Sequence, residues 1–216
     1  MKKIPRSNVG FDWVAPIYDQ LASAVFGKKL QKAQLTFLTD IPEAASILLV
    51  GGGTGWLLEQ ILVQCKPRRV LYLEASAKMV ALASRRMAQK SLPGTVEFRV
   101  DDQLSLHPDE QFDVVITPFL LDLFTEKTVQ SWLIPRLRHA LRPNGRWLIT
   151  DFVQTRVWWQ IVLLWTMIHF FRLAANIQTK QLVDWPRLLA EGGLSLEKRQ
   201  THVAGMVVAD VWRITA

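Results

Sequence analysis

The sequence predicts a doubly wound α/β fold on a mostly parallel sheet, and three observations carry that prediction. An apolar strand, Ile47-Leu48-Leu49-Val50, runs straight into the glycine turn Gly51-Gly52-Gly53-Thr54-Gly55 and then into a helical run from Trp56 to Leu62. Strand-like and helix-like segments then alternate at the spacing of βαβ units. The strand-like runs are aliphatic and β-branched, as strands buried on both faces require.

The elements follow in order. Val70–Leu73 reads as a second strand. A helix over 77–90 comes next, with Met79, Val80, Leu82, Ala83 and Met87 on its apolar side. Pro93-Gly94 breaks it, and Val96–Val100 alternates as a third strand. Phe112–Ile116 is a fourth, 126–141 a helix, Pro143-Asn144-Gly145 a turn and Arg146–Thr150 a fifth strand. Asp184–Ala190 is helical, Gly192-Gly193 stops it, and strand-like runs at 194–201 and 206–214 close the chain.

Composition limits the function classes. With 216 residues, half of them hydrophobic, there is chain enough for one real core, and no stretch is repetitive or linker-like. Cys65 is the only cysteine, which excludes an intramolecular disulfide and favours a reducing compartment. The charged start Met1–Ser7 lacks the apolar run of a signal peptide, so the expected location is cytoplasmic. The formal charge of +7 is spread over ordinary helix faces such as Lys28-Lys29 and Arg85-Arg86, with no aromatic-interleaved basic stripe. Four scattered histidines and one cysteine offer no metal-site spacing.

The glycine turn carries the chemistry. A turn that tight needs residues without a Cβ, and the helix start behind it turns free N–H groups toward an anionic ligand. Nineteen residues after Gly55, the second strand ends in Glu74, placed to accept from ribose hydroxyls. An adenosine-containing cofactor across the ends of two parallel strands follows. Which one is narrowed by Trp56, which stands where the dinucleotide fingerprint has its third glycine, and by the absence of a P-loop Lys-Ser or Lys-Thr pair.

The pattern Gly51-x-Gly53-x-Gly55 with Glu74 resembles class I S-adenosylmethionine-dependent methyltransferases, from about Phe11 onward. The resemblance implies a seven-stranded sheet whose last strand inserts antiparallel beside the sixth. It also implies S-adenosylmethionine as cofactor. By that match Gly51, Gly53 and Gly55 pass beneath its methionine and ribose, and Glu74 binds the ribose diol. Asp102 accepts from the adenine amino group, the Gln103 backbone lies beside the ring, and Thr117 with Pro118 lines the space around the sulfur. Asp101 and Asp102 capping the next turn is the alternative use of that pair. One position departs: where the family commonly carries an acid two residues before the first glycine, this chain has Leu49.

Phe11–Asp19, leading into a helix through about Leu38, resembles the lid of small-molecule methyltransferases of the ubiquinone/menaquinone type, with Tyr18 covering the cofactor. The same apolar positions would equally serve as a helix's core stripe. The expected organisation is one domain over 1–216: lid 1–40, cofactor-binding core 41–153, apolar helical insertion 154–190 and strand pair 191–216.

That insertion holds the run Val157–Phe171, too short to span a bilayer of roughly 20 residues' thickness. Gln160, Thr166, His169 and Arg172 point in different directions on a wheel, so no clean polar face exists. The helix is buried nearly all round, in the fold or in a homodimer, or it covers an apolar ligand, or it lies in a membrane interface with Arg156 and Arg172 at its ends. His169 reads as a core or pocket histidine.

The expected activity is methyl transfer to a small apolar acceptor such as a quinone, lipid or aromatic metabolite. Nucleic acid is disfavoured as acceptor, because Thr117-Pro118-Phe119 matches the amino-group methyltransferase motif only loosely. Alignment and water exclusion are the main tasks, with Asp122 and Tyr18 as candidate bases; Asp122 would equally cap the next helix. Two rivals remain: a nicotinamide oxidoreductase, and a cofactor-binding or membrane-associated protein without transferase activity.

Overall fold

A computed structural model describes residues 26–90, 92–101, 104–175 and 181–215. The sheet has seven strands: β1 (Ser46–Val50), β2 (Arg69–Glu74), β3 (Thr95–Val100), β4 (Phe112–Pro118), β5 (Leu141–Phe152), β6 (Leu194–His202) and β7 (Val207–Ile214). Their spatial order is β3-β2-β1-β4-β5-β7-β6. The first five pair parallel; β7 runs antiparallel to both β5 and β6. This is the doubly wound, mostly parallel sheet that the alternation predicts, with the antiparallel last strand.

The helices are α1 (Lys29–Leu35), α2 (Trp56–Cys65), α3 (Ala77–Ala88), α4 (the run Glu126–Thr128, Val129–Leu133 and Ile134–His139), α5 (Trp158–Ala175) and α6 (Trp185–Glu191). α3 begins where Ser76 caps it, the hydroxyl accepting from Met79 N–H, and it ends two residues before the expected boundary at 90. α4 is not uniform, because Val129–Leu133 forms a π turn immediately before Pro135. Proline cannot donate to the carbonyl four residues back, and a widened turn accommodates the missing bond. Asp184 belongs outside α6, as the cap accepting from Arg187 N–H.

Apolar residues on the two sides of each central strand enter different layers. Leu48 and Val50 of β1 join Leu71, Val115, Trp147 and α4, whereas Ile47 and Leu49 join Tyr72, Val114, Ile116 and α2. That period of two explains why β1 carries no polar alternation: both faces are covered. A third apolar layer, with Phe26, Ala33, Phe152, Leu164, Ile168 and Met206, lies where α1 and α5 meet the end of β5.

α5 is two-faced in a way its sequence conceals. Gln160, Leu164 and Ile168, four residues apart, are buried. Trp158, Ile161, Val162 and Trp165 lie on the stripe beside them and are exposed. The polar Gln160 is on the inner side, where its amide donates to Ala204 O at 2.9 Å and its oxygen accepts from the Thr155 hydroxyl. Over residues 158–169 the helix is therefore packed along one side only. Among the described residues, no helix is long and apolar enough to cross a membrane.

Candidate functional site

Each glycine of the turn has its own reason. Gly51, Gly53 and Gly55 all have positive φ, at 72°, 61° and 82°. A Cβ at Gly55 would come within 2.8 Å of the Ala83 backbone, so this glycine lets the start of α2 lie directly on α3. Among the described residues, a Cβ at Gly53 would meet nothing within 4 Å. The described part of the loop is thus open on the side where a ligand would lie.

Three groups from β2 hold that loop. Gly51 N–H donates to Leu73 O at 2.9 Å, and Gly53 N–H donates to Glu74 Oε2 at 3.1 Å. The Tyr72 hydroxyl donates to Gly53 O at 2.5 Å. The other Glu74 oxygen accepts from Ser76 N–H at 3.1 Å. Gly51, Gly53, Gly55 and Glu74 therefore meet at one place, at the carboxyl ends of β1 and β2. Open space over Gly53 beside an acidic strand end fits an adenosine-type cofactor.

The sequence did not single out Tyr72. It is fully buried and stands opposite Leu49 in the β1–β2 register. Leu49 fills the apolar layer, and the loop is instead held by the tyrosine hydroxyl on the neighbouring strand. One phenol inside an otherwise aliphatic strand, next to Leu49, is the signal that would have found it.

The loop that leaves β3 is tied down at both ends. Asp101 accepts from Ser105 N–H at 2.5 Å, and Arg99 bonds both Glu97 and Glu110. Arg99 holds the Glu110 carboxyl well below the usual range, at about 2. Asp102 and Gln103, expected at the adenine, and Tyr18, expected in the lid, lie outside the described residues.

At the end of β4, Thr117 is fully buried, and its hydroxyl accepts from the Trp147 indole at 2.9 Å. Phe119 has φ of 50°, a left-handed conformation costly for a bulky residue. Its N–H donates to Thr150 O at 2.7 Å, and its ring lies 5.4 Å from that of Phe152. The turned chain brings Leu120 against Gly51.

Two acids are buried just beyond. Asp151 Oδ2 accepts from the N–H groups of Leu120 and Leu121, at 3.1 and 2.8 Å, and Oδ1 accepts from Phe152 N–H at 2.7 Å. Asp122 hydrogen-bonds Asp151, while its buried Oδ1 has no partner among the described residues. Burial raises both acids above the ordinary carboxylate range, Asp122 to about 7, and the Asp122 charge raises Asp151 further. Asp122 lies in a short turn, Leu121–Leu123, before α4, whose cap is Thr125. Asp151 was missed in the sequence, although an acid after the apolar run Trp147–Ile149 of β5 marks it. Among the described residues, no three His, Cys, Asp or Glu side chains are grouped to hold a metal ion.

Residues 47–145, from β1 into β5, match a methyltransferase domain family. No curated protein matches the chain. A chain from the complex of the Haloferax volcanii Trm112 methyltransferase activator with a protein assigned as a methyltransferase superposes with a TM-score of 0.70, at 14% identity over 95% of this chain and 98% of that one. The Burkholderia thailandensis 1,6-didemethyltoxoflavin-N1-methyltransferase, solved with S-adenosylhomocysteine, gives 0.68 at 16% identity, over 100% of this chain and 93% of that one. The mitomycin 7-O-methyltransferase MmcR gives 0.66 at 21% identity, over 92% of this chain, which spans only 57% of the larger protein. Likenesses this distant establish the fold. The matched segment, under half of the chain, carries the glycine loop and Glu74.

Proposed function

We propose that the chain methylates a small apolar acceptor, a quinone, lipid or aromatic metabolite, in the manner of the ubiquinone/menaquinone type. The observation that supports this most is the apolar layer of Phe26, Phe119, Phe152, Leu164 and Ile168 beside the ends of β4 and β5. An acceptor lodged beside that layer would be shielded from water by α1 and α5. We place the reaction in the cytoplasm, a reading supported by the free, buried thiol of Cys65.

In this reading Gly51, Gly53 and Gly55 underlie the cofactor, and Glu74 takes the ribose diol while continuing to hold Gly53 N–H. Asp102 and Gln103 serve the adenine, Tyr18 covers the site, and Thr117 with Pro118 borders it. The bound cofactor supplies an electrophilic methyl group on a sulfonium. The protein's part is alignment and exclusion of water. Where the acceptor must lose a proton, Asp122 takes it on Oδ1, which has no partner among the described residues, at an affinity that burial has brought near neutral pH.

Calorimetric titration with S-adenosylhomocysteine, with NAD in parallel, tests the cofactor site. Turnover of a panel of lipophilic acceptors with S-adenosylmethionine then tests the transfer. Binding without turnover of any acceptor would favour a cofactor-binding protein. Binding of NAD alone would overturn the assignment.

A further inference from the structure

The outward side of α5 is the least expected surface of the molecule. Trp158 is 76% exposed and Trp165 57%, and Ile161 and Val162 between them are about half exposed. These four fall on one stripe, beside that of the buried Gln160, Leu164 and Ile168. Exposing two indoles and two aliphatic side chains together is costly in water, and such patches mark contact surfaces. The Trp165 ring is held in place, stacked 3.9 Å from the His169 imidazole, whose Nδ1 lies 2.8 Å from Trp165 O.

Charge indicates what covers the stripe. From Phe152 to Val183 the sequence has no acidic residue, but it has Arg156, Arg172 and Lys180. α1, whose Leu30 and Ala33 share the apolar layer with Leu164 and Ile168 of α5, carries the exposed Lys28, Lys29 and Lys32 at its start. No acid occurs between Asp19 and Asp40 either. Burial, with Lys32 beside it, lowers the proton affinity of His202, whose Nε2 lies 2.9 Å from the Thr36 hydroxyl. Tryptophans on a stretch of chain that carries cations and no acids form the pattern that anionic bilayer surfaces attract. The indoles enter the headgroup boundary, and the cations meet lipid phosphates.

We propose that α5 is the face by which this protein lies on an anionic phospholipid bilayer, with Trp158, Ile161, Val162 and Trp165 entering the interface and Lys28, Lys29 and Arg156 contacting headgroups. The helix does not span; its inner side stays on the protein core. Docking of this kind does not depend on which acceptor is methylated, or on methyl transfer at all.

The test is co-sedimentation of the full chain with phosphatidylcholine vesicles containing about one-third phosphatidylglycerol, and with phosphatidylcholine alone. Binding to the anionic vesicles is expected, with a blue-shifted tryptophan emission, weaker binding to neutral vesicles, and release at about 0.5 M salt. Trp158→Ser/Trp165→Ser should lower partitioning at least about tenfold. Lys28→Glu/Lys29→Glu should lower it on anionic vesicles only. S-adenosylhomocysteine titration of each variant shows that it remains folded. Failure to bind either vesicle, or binding unchanged by the tryptophan variant, overturns the proposal. So does a lipid-free dimer that the tryptophan variant converts to monomer, because the face would then belong to a second copy.

Discussion

The hydroxyl of Tyr72 donates to the carbonyl of Gly53, so a β2 side chain fixes the backbone of the loop leaving β1. A Cβ at Gly52 would come within 2.4 Å of the Tyr72 ring, which makes the bare Gly52 a condition for this contact. Glu74 grips the same residue from its other side, through Gly53 N–H.

Tyr72→Phe keeps the ring in the core and removes only the loop bond. A net loss of about 1 kcal/mol is expected, seen as a roughly fivefold weaker S-adenosylhomocysteine affinity in calorimetry with a small drop in Tm. Glu74→Ala removes both a loop bond and the proposed ribose acceptor, so it should weaken binding by more than Tyr72→Phe. Unchanged affinity in Glu74→Ala would put the cofactor elsewhere.

Gly55→Ala and Gly53→Ala should separate packing from loop conformation. Both positions have positive φ, but only Gly55 abuts the Ala83 backbone. Gly53→Ala should cost about 1–2 kcal/mol of stability from backbone strain. Gly55→Ala should cost more, because α2 must move off α3, and Ala83→Gly should not fully restore it. Chemical denaturation of the variants checks the ranking.

Asp122 and Asp151 give a pH dependence of definite sign. An acid whose proton affinity is raised by folding is protonated in the native state where the unfolded chain has released its proton. The native state therefore binds more protons between about 4 and about 7, and stability falls as pH rises through that window. The loss from Asp122 alone amounts to at most about 4 kcal/mol. Asp122→Asn, which imitates the protonated acid, should raise Tm at pH 8 and flatten the profile between pH 5 and 8. The same variant should lower kcat by roughly a hundredfold or more on an acceptor that loses a proton, with S-adenosylhomocysteine affinity unchanged. Stability rising between pH 5 and 8 in the parent chain would contradict the buried pair.

Cys65 should be inert in the native state. Its thiol is buried, lies 3.4 Å from Leu38 O, and is raised to about 11 by burial. Disulfide-exchange reagents should label it at a rate limited by opening of the α2 region, and at once in denaturant.

The glycine loop, Glu74 and the strand order were legible because each rests on a local rule: positive φ for glycine, an acid at a strand end, alternation for parallel pairing. The loop's anchor was not, because the Tyr72 phenol reaches the loop from a neighbouring strand, across a register that sequence spacing does not reveal. α5 was misleading for a related reason. A wheel shows that Gln160 and Trp158 lie on opposite sides, but not which side meets the protein. Only the carbonyl of Ala204, 44 positions later in the chain, settles that Gln160 faces inward. Asp122 was noticed as one carboxyl; its partner Asp151 comes from the neighbouring strand, and the shift of the pair exists only once both are buried.

The placement of β7 between β5 and β6 governs the order in which the molecule can assemble. Among the described strands β6, made before β7, pairs with β7 alone, so it emerges during synthesis before its partner. β5 likewise keeps one open edge, Arg146–Phe152, until Val207–Arg213 arrives. The β5–β7 pairing thus forms late and across a long sequence separation, which slows folding and lengthens exposure of the open edge of β5. A chaperone that shields strand edges would therefore act on this protein after the glycine loop and its neighbours had already formed.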